Sequence, residues 1–202
     1  MKKRNIILAI LFGLLFLLIM VSVLFGKTGS FDQNVYQAVI SLRSTFFDTY
    51  FISITKLANT SVILLLVLLF VLIFRNRSAF YLVISTIDCF LLTTLFKFIV
   101  QRDRPNGLRL IHQGGYSFPS GHTMMSVCVY GFLLYLAFTK IKNKILKYCV
   151  SSVLLLVILS IGISRIYVGV HFASDVLAGY ALSLCYLLLL IEVSKKIELM
   201  RG

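Results

Sequence analysis

The chain has 202 residues, 59% of them hydrophobic, with 20 Lys and Arg against 7 Asp and Glu, two prolines and no tryptophan; its mean hydropathy is +0.98. That composition excludes an ordinary soluble domain and marks an integral membrane protein. The formal charge of +13 would suggest nucleic acid in a soluble chain, but the basic residues collect in short breaks between apolar runs, where membrane topology accounts for them.

The amino-terminal stretch MKKRNIILAILFGLLFLLIMVSVLFGKTGS has the basic flank and apolar centre of a signal peptide. Its apolar run from Ile6 to Phe25 is longer than an h-region and no A-x-A site follows, so it is read as an uncleaved first span over about 5–26. In the loop after it, Phe31, Val35, Ala38, Val39, Leu42 and Phe46 recur at helical spacing behind an N-cap candidate, Ser30. This predicts a short amphipathic helix lying on the membrane surface and packing against the bundle.

Five further apolar runs, at about 57–74, 79–100, 122–139, 146–164 and 171–193, each approach the ~20 residues a helix needs to cross a bilayer core. The expected fold is therefore all-α, a polytopic bundle of six transmembrane helices forming one membrane-embedded domain over 1–202. The basic breaks MKKR, RNR at 75–77 and KIKNKILK at 140–147, with Lys195, Lys196 and Arg201, fall on the face that carries both termini. The positive-inside rule makes that face cytoplasmic and turns 27–56, 101–122 and 164–171 outward.

Four cysteines, Cys89, Cys128, Cys149 and Cys185, lie in apolar runs without CxxC spacing or a histidine companion, so neither a metal site nor a disulfide framework is expected. Asp88 falls mid-span, where an unpaired carboxylate is costly; Ser85, three residues earlier, is a candidate partner, and no role is assigned. Arg102, Asp103, Arg109 and His112 are read as solvated loop residues within reach of a headgroup.

Topology brings three polar clusters to the outward face: Lys97 and Arg104 after the third span, Pro119–His122 at the start of the fourth, and Arg165, His171 and Asp175 between the fifth and sixth. Lys97, Arg104 and Arg165 suit a phosphate, which guanidinium groups grip in bidentate fashion. Ser120 and Gly121 at a helix start add a hydroxyl, backbone N–H donors and the positive end of the dipole. If the sixth helix already includes His171, Asp175 lies one turn on, accepts the Nδ1 proton and leaves Nε2 as a nucleophile. His122 can protonate the departing alcohol and later activate water.

The patterns K-x6-RP (Lys97 to Pro105), PSGH (Pro119 to His122) and SR-x5-H-x3-D (Ser164 to Asp175) resemble the three signature motifs of the type 2 phosphatidic acid phosphatase superfamily, complete and in order. LRSTFFD at 42–48 resembles the family's stretch before the second span, and the layout resembles its membrane branch, with the short outer loops of compact bacterial lipid phosphatases. The resemblance implies metal-independent hydrolysis of a phosphomonoester or diphosphate through a phosphohistidine, with no cofactor. His171 would be the nucleophile, Asp175 its partner, His122 the acid, and Lys97, Arg104, Ser120, Gly121 and Arg165 the phosphate binders. The implied partner is a membrane lipid such as phosphatidylglycerophosphate, undecaprenyl diphosphate or phosphatidic acid, met at the outer face of a bacterial-type cytoplasmic membrane. Two rival readings are an anionic-lipid transporter or flippase without hydrolysis and, because the related haloperoxidases share the anion cradle, vanadate-dependent halide oxidation. Against the first stands the absence of an inverted repeat or broken mid-membrane helix; against the second, those enzymes are soluble.

Overall fold

The computed structural model describes residues 3–199, and every regular element among them is helical. Helix α1 (Lys3–Leu24) leads through a turn to two short helices, α2 (Gly29–Ile40) and α3 (Thr45–Thr55). A 3-10 turn (Lys56–Ala58) and Asn59 join α3 to α4 (Thr60–Phe74). Then follow α5 (Arg77–Val100), α6 (Gly121–Lys140, with a π turn at Val127–Gly131), α7 (Lys144–Tyr167) and α8 (Ala173–Leu199). Lys2 and Arg201, counted above among the basic flanks, lie outside the described residues.

Helices α1, α5, α6, α7 and α8 are each long and apolar enough to cross a membrane. The expected second span differs: α4 has 15 residues, about 22 Å at 1.5 Å per residue, short of a ~30 Å bilayer core. It reaches spanning length only with Thr45–Ala58, from which it departs by a 52° bend. Asn59, extended at φ −65°, ψ 143°, makes that break.

The first loop also departs from expectation, because it holds two helices rather than one. Ser44 interrupts the helical run and caps α3, its Oγ accepting from Phe47 N at 3.3 Å, so Leu42 falls in the turn and Phe46 belongs to the next helix. Ser30 is inside α2, whose N-cap position is Thr28. Nor is the buried residue of α2 an apolar one; it is Asp32.

Small residues let the helices approach one another. A side chain at Gly162 would collide with the Tyr180 ring, and the Tyr180 hydroxyl donates to Ile158 O at 2.9 Å, locking α7 to α8. Ile63, Val67, Leu82, Val129, Phe132 and Ile161 fill the shared core of α4 to α7. Ile7, Leu11, Leu14 and Leu18 of α1 stand exposed, the surface a helix presents to lipid rather than water. Asn5 donates to Glu192 at 2.6 Å, which brings the start of α1 and the end of α8 to the same end of the bundle.

Asp88 is paired, though not with Ser85. Tyr186 Oη donates to Asp88 Oδ2 at 2.8 Å, while Ser85 turns its hydroxyl to the Cys128 carbonyl in the π turn of α6 at 3.0 Å. Three-residue spacing correctly placed Ser85 and Asp88 near one another on α5, but the neighbouring helices offered each a better partner. All four cysteines are free thiols.

Candidate active site

At the end of the bundle opposite Asn5 and Glu192, the three polar clusters meet. The turn between α7 and α8 sets the first part of the geometry. Gly169 has φ +77°, and a Cβ there would strike the Leu108 carbonyl, so only glycine lets this turn lie under the 101–120 loop. Leu110 N donates to Val168 O at 3.0 Å across the same contact. Val170 N and His171 N both donate to Arg165 O at 3.2 Å, folding the turn back over the end of α7.

His171 thus stands before the last helix, not within it as the sequence reading supposed. Helix α8 starts at Ala173 because Asp175, in its first turn, reaches back to Phe172 N at 2.9 Å, the second half of a capping box. The same carboxylate oxygen lies 3.4 Å from His171 Nδ1. On the other side of the ring, Nε2 is 3.2 Å from Arg104 Nη1. A guanidinium can only donate and a carboxylate accepts, so the two neighbours select the tautomer with its proton on Nδ1 and a lone pair on Nε2. Burial first, then the charges of Arg165, Arg104 and Lys97, hold His171 well below the usual histidine range, so the ring is neutral.

A cavity of about 260 Å³ is lined by Lys97, Arg104, Gln113, Gly121, His122 and His171, among others. Gly121 faces it because α6 begins there, and a Cβ at this position would meet Thr93 of α5 at 3.1 Å. His122 Nε2 lies 3.1 Å from Asn59 Oδ1, at the break between α3 and α4. Tyr130 Oη steadies that break by donating to Leu57 O at 2.7 Å.

The cations converge on the Gln113–Tyr116 segment. Arg104 donates from Nε to Gly115 O at 2.8 Å, from Nη2 to Gly114 O at 3.0 Å and from Nη1 to Val170 O at 2.8 Å. Lys97 Nζ donates to Tyr116 O. Arg165 is fully buried; its Nη1 bonds Thr55 Oγ1 at 2.6 Å and its Nη2 bonds Gln113 Oε1 at 3.1 Å, while Nε has no partner. Arg165 is not among the cavity's lining residues and meets it through Gln113. Ser120 is also buried and outside the lining set, its Oγ accepting from Thr123 Oγ1 at 2.9 Å and its N–H bonded to Asp175 O at 3.1 Å. Of the eight residues singled out in the sequence, Lys97, Arg104, Gly121, His122 and His171 line one cavity, and Ser120, Arg165 and Asp175 stand behind it.

Three residues at the site escaped the sequence reading, Asn59, Gln113 and Asp32, and a fourth, Arg102, was named there with another role. Arg102 is not a solvated loop residue. It bonds Asp175 Oδ1 at 2.6 Å and Asp32 Oδ2 at 2.8 Å and lies 4.0 Å over the Phe172 ring. The available signal was the position of Asp32, an acid on a helix otherwise read by its apolar face. Arg109 and His112 are exposed as expected, Arg109 bonding only its own loop at Pro105 O.

This arrangement of a neutral buried histidine, a carboxylate partner and a cation-lined cavity at a membrane-helix end defines a class. A family model described as the PAP2 superfamily matches residues 77–198, the stretch from α5 to α8 that carries all three motifs, and the chain belongs to that superfamily. Over 197 residues it is 30% identical to phosphatidylglycerophosphatase B of Bacillus subtilis (strain 168), covering 93% of this chain and 95% of that protein. The crystal structure of a transmembrane PAP2-type phosphatidylglycerolphosphate phosphatase from Bacillus subtilis superposes with a TM-score of 0.85 at 27% identity, over 94% of this chain and 96% of that one. LpxE of Aquifex aeolicus shares the fold, with a TM-score of 0.64 at 24% identity over 81% of this chain and 94% of that one.

Proposed function

We propose that the protein is a lipid phosphatase that transfers the phosphoryl group of a membrane lipid to His171 and then to water. The observation that carries this reading is the setting of His171, with Asp175 at Nδ1, Arg104 at Nε2 and the ring neutral at the wall of a cationic cavity. The Nε2 lone pair attacks phosphorus as the bond to the leaving oxygen breaks, and His122 gives that oxygen its proton. His122, now basic, takes a proton from water, whose oxygen attacks phosphorus and displaces His171, releasing inorganic phosphate. Lys97 and Arg104, with the N–H groups at the start of α6, hold the equatorial oxygens on which charge builds up, and Arg165 adds its charge from behind. No step calls for a metal.

The whole chain acts as one membrane-embedded phosphatase domain in a bacterial-type cytoplasmic membrane. Lys3, Arg4, Arg75, Arg77, Lys140 and Lys144 flank the spans at the end away from the site, which supports cytoplasmic termini and a site opening to the outer leaflet. There an amphiphile presents its phosphate while its tails stay in lipid. The relative in Bacillus subtilis puts phosphatidylglycerophosphate first among substrates, with undecaprenyl diphosphate and phosphatidic acid next. Purified protein in detergent with excess EDTA is expected to release phosphate from at least one of the three, and His171→Ala to release none. Silence on all three lipids, or full activity in His171→Ala, contradicts the reading.

A further inference from the structure

We propose that Arg102 and Asp32 form a positioning pair that aims the Asp175 carboxylate at His171, an inference that rests on the phosphatase reading above. The bond between His171 Nδ1 and Asp175 Oδ2 is long, 3.4 Å, so it does not by itself fix the carboxylate plane. The plane is set by shorter bonds: Phe172 N on Oδ2 at 2.9 Å and Arg102 Nη1 on Oδ1 at 2.6 Å. Arg102 donates neither to His171 nor to a phosphate-binding residue, so its influence on the reaction passes through Asp175.

The guanidinium is held in its turn. Nη1 also reaches Ser174 Oγ at 2.8 Å, and Nη2 bonds Asp32 Oδ2 at 2.8 Å and Thr28 Oγ1 at 3.1 Å, with Phe172 beneath the plane. Asp32 is 3% exposed and uses its other oxygen to accept Ser174 N at 2.8 Å, satisfying an orphan donor in the first turn of α8. The two carboxylates therefore face each other across a single cation, and each also bonds the backbone where α8 begins. Buried charge networks carry a desolvation cost that packing alone does not require, and replacing them by apolar groups is often neutral for stability. Helix α2 contributes nothing to the cavity that holds His122 and Lys97. Its Asp32 is nonetheless two bonds from the partner of the nucleophile, which assigns α2 a role in turnover as well as packing.

The test is a double-mutant cycle on phosphate release from phosphatidylglycerophosphate in detergent. With Asp175 intact, Arg102→Gln and Asp32→Asn should each lower kcat roughly tenfold to hundredfold with KM nearly unchanged, the range known for groups that orient a metal-bound histidine. Arg102→Lys should recover part of the loss. With Asp175→Asn as the background, the same substitutions should cost about twofold or less, because residues acting as one unit are not additive. Equal losses in both backgrounds would reveal a structural role only and overturn the proposal, as would full kcat in Arg102→Gln. If Arg102→Gln does not fold, Asp32→Asn, which keeps the shape of the side chain, decides by the same comparison. If the unsubstituted protein is silent on phosphatidylglycerophosphate, the cycle is run on undecaprenyl diphosphate or phosphatidic acid; silence on all three lipids fails the phosphatase reading, whereas an additive cycle on a lipid that is hydrolysed fails this inference alone.

Discussion

The imidazole of His171 is held between groups of opposite hydrogen-bonding character, with Asp175 Oδ2 3.4 Å from Nδ1 and Arg104 Nη1 3.2 Å from Nε2. Exchanging acceptor for amide at position 175 removes the reason for Nδ1 to carry the proton. Asp175→Asn should therefore lower kcat by about 10³–10⁴, the scale seen when a buried partner stops specifying a catalytic tautomer, with a much smaller change in KM. Steady-state kinetics on a lipid phosphate in micelles measures both.

The neutrality of His171 has consequences for pH. Burial, with the charges of Arg165, Arg104 and Lys97, lowers its pKa well below the ordinary 6.5. The nucleophile stays unprotonated through the neutral and mildly acidic range, so any acid limb it contributes to kcat/KM lies well below pH 6.5. Lys97→Gln removes one of the opposing charges and should move that limb to higher pH. Stability has the same sign. In the unfolded chain the ring takes up a proton below about 6.5 while the folded ring does not, so the unfolded state binds more protons there and stability falls as pH drops through that value. Melting curves of wild type and His171→Asn between pH 5 and pH 8 should show a shallower slope in the variant.

At Gly169, φ +77° and the adjacent Leu108 carbonyl leave no room for a methyl group. Gly169→Ala should cost at least the ~1–2 kcal/mol of a left-handed L-residue, and it should displace His171, two residues on. A lower melting temperature together with a lower kcat is expected; an unchanged kcat would show that the turn does not position the histidine.

Asn59 Oδ1 is the side-chain partner of His122 Nε2, at 3.1 Å. Asn59→Ala should leave the ring free to rotate and reduce kcat by roughly tenfold, as loss of one well-placed acid–base contact does. The effect should be larger for a lipid with a poor leaving group than for an activated aryl phosphate, because only the former needs the proton from His122.

Much of this site was legible in the sequence because its chemistry is concentrated at span ends. Lys97, Arg104, His122 and His171 are polar residues at the edges of apolar runs, and topology alone brings them to one end of the bundle. What could not be read is which partner wins. Arg102 stands two residues before Arg104, and no spacing rule says that one arginine turns to the backbone of Gly114 and Gly115 while the other turns inward to Asp32 and Asp175. Asp88 illustrates the same limit, since Tyr186 lies 98 positions away in the chain. The start of α8 was misjudged by two residues because Asp175 caps the helix at Phe172 as well as facing His171. The bend at Asn59 was hidden because the polar run Asn59, Thr60 and Ser61 fell inside a single apolar stretch read over 57–74.

The most direct test of the account is to trap the intermediate. Lipid substrate carrying a labelled phosphoryl group is mixed with enzyme and quenched in alkali, which preserves phosphohistidine, and the labelled peptide is mapped. The account predicts label on His171 that is absent from His171→Ala; with a labelled activated aryl phosphate, which needs no proton from His122, the label should accumulate in His122→Ala, where water is no longer activated. Label on another residue, or turnover by His171→Ala at the wild-type rate, would contradict it.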